Sequence, residues 1–144
     1  MGTTPPRLGD PLPDDVTVYR AFSTEGARRR PAKVRPRAYY RAADHTDGLS
    51  LGATPLAAVS QLQINYGYCS VSVGAIHRLP YGLRVCPDLD DTNHILLCNV
   101  PVFDGLNGDR GIAEEVAGAL ARISKAETCD YYPPKEKDDL PSIP

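Results

Sequence analysis

Hydrophobic and polar residues alternate over several short stretches of the chain, and this period of two predicts β-strands. Residues 16–22 form the first stretch, and its first, third, fifth and seventh positions share one face: Val16, Val18, Arg20 and Phe22. Residues 69–75 alternate in the same way and predict a half-buried strand. Shorter runs predict further strands at residues 37–42, 49–51, 83–86 and 94–100.

Two other stretches repeat their apolar residues at helical spacing. The first begins at Thr54-Pro55, where threonine is a favourable N-cap and proline suits the first helical position. Its apolar stripe is Leu56, Val59, Leu62 and Tyr66, and that of the second is Ile112, Val116, Leu120 and Ile123. Together the elements predict an α+β fold, with a mostly antiparallel, split sheet of five or six strands and two main helices.

Proline-rich, weakly apolar sequence marks both ends of the chain. Residues 1–15 and 130–144 lack a periodic apolar face, so we expect an N-terminal and a C-terminal tail around a single domain of residues 16–129. Four cysteines lie 17, 12 and 31 residues apart without zinc-ligand spacing, which favours free thiols. The histidines and aspartates also lack metal-ligand spacing, so no metal is expected.

Composition narrows the classes of protein that fit. The chain has 144 residues, of which 42% are hydrophobic and 24% charged, as in average globular domains. Neither a membrane-spanning run nor a signal peptide is evident, so we expect a cytoplasmic protein without membrane contact. With a net charge of −2, a broad nucleic-acid-binding surface is not expected.

A basic segment covers residues 28–41, where seven lysines and arginines occur. Such a run is usually a solvated loop, but it also attracts acidic partners. One hypothesis for function is therefore a non-enzymatic interaction domain, an accessory subunit that binds a protein partner through residues 28–41 or through the tails.

Two features point instead to a ligand. Arg20 shares a strand face with apolar residues, where its charge needs either a partner or a wet cleft. Residues 47–55 run from a glycine-bearing strand end through Ser50 into the Thr54 cap, and a helix start of this kind favours anions. An ordinary well-capped helix gives the same pattern. Neither a Gly-x-Ser-x-Gly elbow nor a kinase signature is evident, so ordinary serine hydrolases and kinases are disfavoured.

The order of these features resembles a known fold. Val18-Tyr19-Arg20, then Gly48-Leu49-Ser50, a helix, and the strand at residues 70–73 are similar to the split sheet of ADP-ribosyltransferases and of RES-type NAD-consuming toxins. The blocks Tyr-Arg-Ala-Phe, Asp-Gly-Leu-Ser and Asn-His-Ile are also similar to those of small uncharacterised bacterial proteins. The resemblance covers about residues 16–124.

The resemblance implies a nucleotide-type ligand with NAD as the substrate, and a toxin or defence role. Arg20 would bind the phosphate, Ser50 and Thr54 would orient the ligand, and Tyr39 or Tyr40 would contact the nicotinamide. Transferases of this kind use a glutamate at the start of a late strand. This chain has Asp91 and His94 there, so these two residues are the expected catalytic groups of an NAD glycohydrolase or transferase.

Overall fold

A computed structural model describes residues 7–22, 28–29, 33–41, 48–62, 67–101 and 110–126. Its main sheet is antiparallel throughout, with the strand order β6-β7-β4-β1-β5-β8. The strands are β1 (Thr17–Ala21), β4 (Leu49–Gly52), β5 (Tyr68–Ser72), β6 (Arg84–Asp88), β7 (Asp91–Cys98) and the two-residue β8 (Lys125–Ala126). A small hairpin pairs β2 (Arg28–Arg29) with β3 (Lys33–Val34). The predicted α+β class and antiparallel sheet are confirmed.

The two halves of the main sheet meet along a very short seam. β1 pairs with β5 at five positions, and β4 pairs with β7 at four. Between β1 and β4, in contrast, the described residues pair only at Tyr19 and Gly52. Three strands therefore lie on each side of a narrow junction at the centre of the sheet.

Among the described residues, three α-helices and one 3₁₀ helix pack on this sheet. They are α1 (Pro55–Val59), α2 (Val73–Arg78), α3 (Arg110–Ile123) and the 3₁₀ helix Pro36–Tyr39. The cap predicted for α1 is confirmed, since the Thr54 hydroxyl accepts a hydrogen bond from the Ala57 N–H at 3.1 Å. The stripe predicted for this helix is only partly correct, because Val59 is buried but Leu56 is 42% exposed. Tyr66 lies outside the described residues.

Two strand predictions are wrong in part. The strand predicted for residues 37–42 does not form over its described part, residues 37–41, because Pro36 begins a 3₁₀ turn that continues to Tyr39. The strand predicted for residues 69–75 stops at Ser72, whose hydroxyl accepts the Ala75 N–H and so caps α2. Small residues suit either structure, and the cap therefore decides this boundary.

The hydrophobic core lies mainly on one face of the sheet. Phe22, Tyr39, Leu51 and Leu97 are buried there together with Val116 and Leu120 of α3. On the opposite face α1 covers a smaller cluster of Ala21, Ala58 and Val59. Burial of Val116 and Leu120 confirms the α3 stripe in its middle, whereas Ile112 at its start is 43% exposed.

The described part of the predicted N-terminal tail lies against the sheet. Gly9 N–H donates to the Pro87 carbonyl at 3.0 Å, and Leu12 N–H donates to the Val85 carbonyl at 2.8 Å. The Leu12 side chain packs on the core. Residues 7–12 thus form a strap along the outer edge of β6, and we call them the N-terminal strap. The predicted C-terminal tail lies outside the described residues.

Candidate catalytic site

Three polar side chains form a hydrogen-bonded chain across three neighbouring strands at one edge of the sheet, β6, β7 and β4. The Ser50 Oγ lies 2.9 Å from the His94 Nε2, and the His94 Nδ1 lies 2.9 Å from the Asp88 Oδ2. These residues come from β4, β7 and β6, which are neighbours in the sheet. A hydroxyl, an imidazole and a carboxylate in this order are the arrangement of a Ser-His-Asp triad.

Hydrogen bonding around Asp88 fixes the tautomer of the imidazole. The Asp88 side chain is 10% exposed, and it accepts from the Asp90 N–H at 2.9 Å as well as from His94. The His94 bond, followed by that backbone bond, lowers the pKa of the Asp88 carboxyl, so this group is ionised at neutral pH. An ionised carboxylate only accepts, so the His94 Nδ1 carries a proton, and in the neutral form of the imidazole the Nε2 is the acceptor that faces the Ser50 hydroxyl.

Strand register brings the three groups together. Gly52 pairs with His94 and Ser50 with Leu96, so Ser50 and His94 lie on the same face, two residues apart along the sheet. An irregularity between Pro87 and Asp88 shifts the register of β6 against β7. That bulge re-aims the last residue of β6 towards the imidazole.

Glycines on either side of Ser50 allow this strand to pack closely. Gly48 has a φ of +123°, and a Cβ there would lie 2.4 Å from the Leu97 carbonyl oxygen. A Cβ on Gly52 would lie 2.4 Å from the Ala58 nitrogen of α1. Both contacts exclude a side chain, so the two glycines let β4 approach β7 and let α1 approach β4.

An open groove of about 450 Å³ lies between α1 and the start of β7. His94 lines it, together with Thr54, Leu56, Asp91 and Asn93. Since Ser50 bonds to the Nε2 of His94, its hydroxyl lies within one hydrogen bond of the groove wall. The site therefore combines a reactive-type hydroxyl, an oriented imidazole and a space for a small molecule.

Arg20 spans the seam in the sheet. Its Nη1 donates to the Ser50 carbonyl at 2.7 Å, and its Nε donates to the Ala38 carbonyl at 2.9 Å. No carboxylate among the described residues forms a salt bridge with it, and burial lowers the pKa of the guanidinium. Arg20 thus places a positive charge behind the Ser50 backbone, although it does not line the groove.

The other predicted site residues occupy different places. Thr54 and Asp91 lie in the groove wall, and the Asp91 carboxylate accepts the Asn93 N–H at 3.0 Å. Tyr39 is 1% exposed and its hydroxyl bonds to Ser124 at 2.6 Å, so the structure does not bring it to the groove. Tyr40 is half-buried against the core. Of the predicted pair of catalytic groups, His94 is the one that contacts Ser50.

Asp88 is the site residue that the sequence did not reveal. It lies at the end of a short strand before a turn, where aspartate is common for local reasons. A usable signal does exist at Ser50, because Gly48-Leu49-Ser50-Leu51-Gly52 has the Gly-x-Ser-x-Gly spacing found around nucleophilic serines. Here the serine lies within a strand and not at a strand-to-helix elbow. The spacing is therefore present in this chain without the strand-to-helix elbow whose absence disfavours ordinary serine hydrolases.

The three cysteines that the structure describes are free thiols and do not line the groove. Cys69 and Cys86 are buried and Cys98 is half-buried, whereas Cys129 lies outside the described residues. Burial, followed by the neighbouring Cys86, raises the pKa of Cys98 to about 11, which keeps it protonated and weakly nucleophilic. Within the described ranges no cluster of possible ligands is arranged to hold a metal ion.

Comparison with known proteins adds no family to this geometry. No protein-family model, curated protein or solved structure matches the chain. Over the part of the chain that the structure describes, no helix has the length and apolar character needed to cross a membrane. Functional inference therefore rests on the site itself.

Proposed function

We propose that this protein is a hydrolase that uses Ser50 as its nucleophile, His94 as the general base and acid, and Asp88 to orient the imidazole. The observation that carries the proposal is the pair of 2.9 Å hydrogen bonds that joins the three side chains. Serine hydroxyls are poor nucleophiles unless an adjacent base accepts their proton, and His94 is placed to do so.

The reaction that fits these groups is ester or thioester hydrolysis. Ser50 Oγ attacks the carbonyl carbon while its proton passes to His94 Nε2, and the protonated imidazole then donates that proton to the leaving oxygen or sulfur as its bond to carbon breaks. Water then attacks the acyl carbon while its proton passes to the same nitrogen, and His94 returns that proton to Ser50 Oγ as the acyl–oxygen bond breaks and the acid is released. Asn93 precedes His94 in β7 and lines the same groove.

The groove wall favours a substrate with a small uncharged acyl group. Leu56 is 42% exposed and lines the groove beside Ala57, which gives apolar carbon a surface to cover. Asp91 lies in the same wall and repels an anionic acyl group. We therefore expect p-nitrophenyl butyrate to be hydrolysed faster than an ester that carries a second carboxylate.

A serine-directed covalent probe tests the nucleophile directly. A fluorophosphonate transfers its phosphorus to an activated serine oxygen with loss of fluoride, and mass spectrometry then locates the adduct. We expect the adduct on Ser50, and none in the Ser50→Ala variant. Ser72→Ala is the matched control, because Ser72 also lies in a strand of the same sheet but its hydroxyl caps a helix. Labelling elsewhere, or no labelling, contradicts the proposal.

A second candidate function follows the resemblance to NAD-consuming folds, and we infer it from the placement of Arg20, Ser50 and His94. These residues lie on β1, β4 and β7, which are consecutive in the sheet. Arg20 lies on the opposite face of the sheet from His94, and its Nη1 donates to the Ser50 carbonyl, so its positive charge acts on the site only through the β4 backbone. In this reaction His94 accepts a proton from water, water oxygen bonds to the ribosyl carbon, and nicotinamide leaves as a neutral molecule.

Thermal melting with NAD separates the two candidates. A ligand at 100 times its dissociation constant stabilises the folded state by about 2.7 kcal/mol. If the protein binds and hydrolyses NAD, we expect its Tm to rise at millimolar NAD and free nicotinamide to be released. An unchanged Tm, combined with fluorophosphonate labelling of Ser50, supports the ester hydrolase and removes the NAD candidate.

A further inference from the structure

The N-terminal strap touches the turn that holds Asp88. Leu8 forms an antiparallel bridge with Asp88, and the Leu89 N–H donates to the Arg7 carbonyl at 2.7 Å. The Arg7 guanidinium binds the Asp90 carboxylate through Nη2 at 2.6 Å and through Nε at 3.1 Å. The strap is therefore attached to the β6–β7 turn by its backbone and by a two-donor ion pair.

These contacts join directly to the hydrogen bonds of the site. Asp90, which Arg7 holds by its side chain, donates its own N–H to the Asp88 Oδ1 at 2.9 Å. The other Asp88 oxygen accepts from His94, and His94 contacts Ser50. A continuous path of hydrogen bonds thus runs from an exposed arginine outside the predicted domain boundary to the serine hydroxyl.

We propose that Arg7 is a positioning residue for the hydrolase, and that the strap holds the Asp88 carboxylate in the orientation that activates His94. The inference rests on the proposed function. Both partners of the ion pair are well exposed, with side chains 70% and 54% accessible for Arg7 and Asp90. An exposed pair is weakened by salt, so the positioning effect depends on ionic strength.

The rate of fluorophosphonate labelling at Ser50, in the full-length protein, is the measurement. At low salt we expect Arg7→Ala to be labelled about two- to fivefold more slowly than the wild type, and Arg7→Lys to recover part of the loss. Raising the salt concentration should slow the labelling of the wild type towards the rate of Arg7→Ala, and it should leave the labelling rate of Arg7→Ala unchanged. A purely structural role for Arg7 would lower Tm without this salt dependence.

Gly9→Val displaces the strap as a whole. A Cβ at Gly9 would lie 3.0 Å from the Pro87 side chain and 3.1 Å from that of Leu89, so valine pushes the strap off β6. We expect Ser50 to be labelled up to about tenfold more slowly than in the wild type, since a small misplacement of a catalytic group lowers the rate strongly. Gly111→Val is the control, because a Cβ at Gly111 meets nothing within 4 Å.

The outcomes separate this inference from the proposed function. Absence of Ser50 labelling in the wild type overturns both. If the wild type is labelled and Arg7→Ala is labelled at the same rate at low salt, the inference about Arg7 is overturned and the proposed function stands. This comparison does not depend on Gly9→Val, so it holds even if circular dichroism shows that Gly9→Val is unfolded.

Discussion

Two histidine–aspartate pairs lie in the described part of the chain, and they differ in the group that contacts the second ring nitrogen. In one pair the His94 Nδ1 binds Asp88 at 2.9 Å, and the Nε2 faces the Ser50 hydroxyl. In the other the His77 Nδ1 binds Asp14 at 3.2 Å, and the Nε2 accepts the Val85 N–H at 3.1 Å. A histidine–aspartate pair of similar geometry therefore contacts a hydroxyl through Nε2 in one place and a backbone amide in the other.

Surroundings separate the two pairs further. The imidazoles are similarly exposed, at 24% for His94 and 21% for His77. The two carboxylates differ in exposure, since the Asp88 side chain is 10% exposed whereas that of Asp14 is 67% exposed. Since water screens an exposed carboxylate, only Asp88 acts on its imidazole at full strength. An Asp-His pair alone does not indicate catalysis, whereas a buried one that faces a hydroxyl beside a groove does.

The largest expected difference between the pairs is in activity. His94→Ala removes the proton acceptor for Ser50 and should lower hydrolysis of p-nitrophenyl butyrate by at least about 10³-fold. His77→Ala should leave hydrolysis unchanged, because the His77 Nε2 accepts a backbone amide and contacts no hydroxyl. Steady-state kinetics of the two variants check the prediction, and equal losses in both would remove the distinction.

Replacing the carboxylates sharpens the comparison. Asp88→Asn keeps the size of the side chain but no longer enforces the Nδ1-protonated tautomer, so we expect a roughly 10³- to 10⁴-fold lower kcat. Asp14→Asn is the matched control, and we expect kcat within about twofold of the wild type, because its histidine bonds a backbone amide and no hydroxyl. A similar kcat in Asp88→Asn and wild type would exclude Asp88 from the catalytic group.

Stability should respond in the opposite order. His77→Ala leaves the buried Val85 N–H without its acceptor, at a cost of about 1–3 kcal/mol in the free energy of unfolding. Ser50→Ala removes only a half-buried hydroxyl contact and should cost less, about 1 kcal/mol or under. Urea denaturation of both variants measures these costs, and a larger loss for Ser50→Ala would contradict the structural role given to His77.

The smallest expected effect is a pH dependence of stability at the Asp88 pair. Because the folded state lowers the pKa of Asp88, its contribution to stability is fully present above the unfolded value of about 4. That contribution is lost as pH falls through the lower folded pKa. The Tm difference between wild type and Asp88→Asn should therefore shrink as pH is lowered from 6 to 2. A constant difference would show that the carboxylate charge does not matter to folding.

Local sequence pattern predicted much of the sheet but only part of the site. The alternation around Val18 and Val71 fixes strand faces, and Ser50 and His94 were both named because each ends or begins a strand. Asp88 could not be predicted, since its role depends on a bulge and on cross-strand register. The helix α2 was missed because Val73 and Ala75 continue the strand alternation, and only the Ser72 cap interrupts it.

The β6–β7 hairpin has a consequence for how the site assembles during folding. Asp88 and His94 are six residues apart in the chain, on strands joined by a tight turn, whereas Ser50 is 44 residues from His94. Local contacts close at a lower entropic cost and form earlier than distant ones. We therefore expect the dyad to form with the hairpin, before the nucleophile arrives with β4. In pulsed hydrogen exchange the amides of β6 and β7 should gain protection ahead of those in β4.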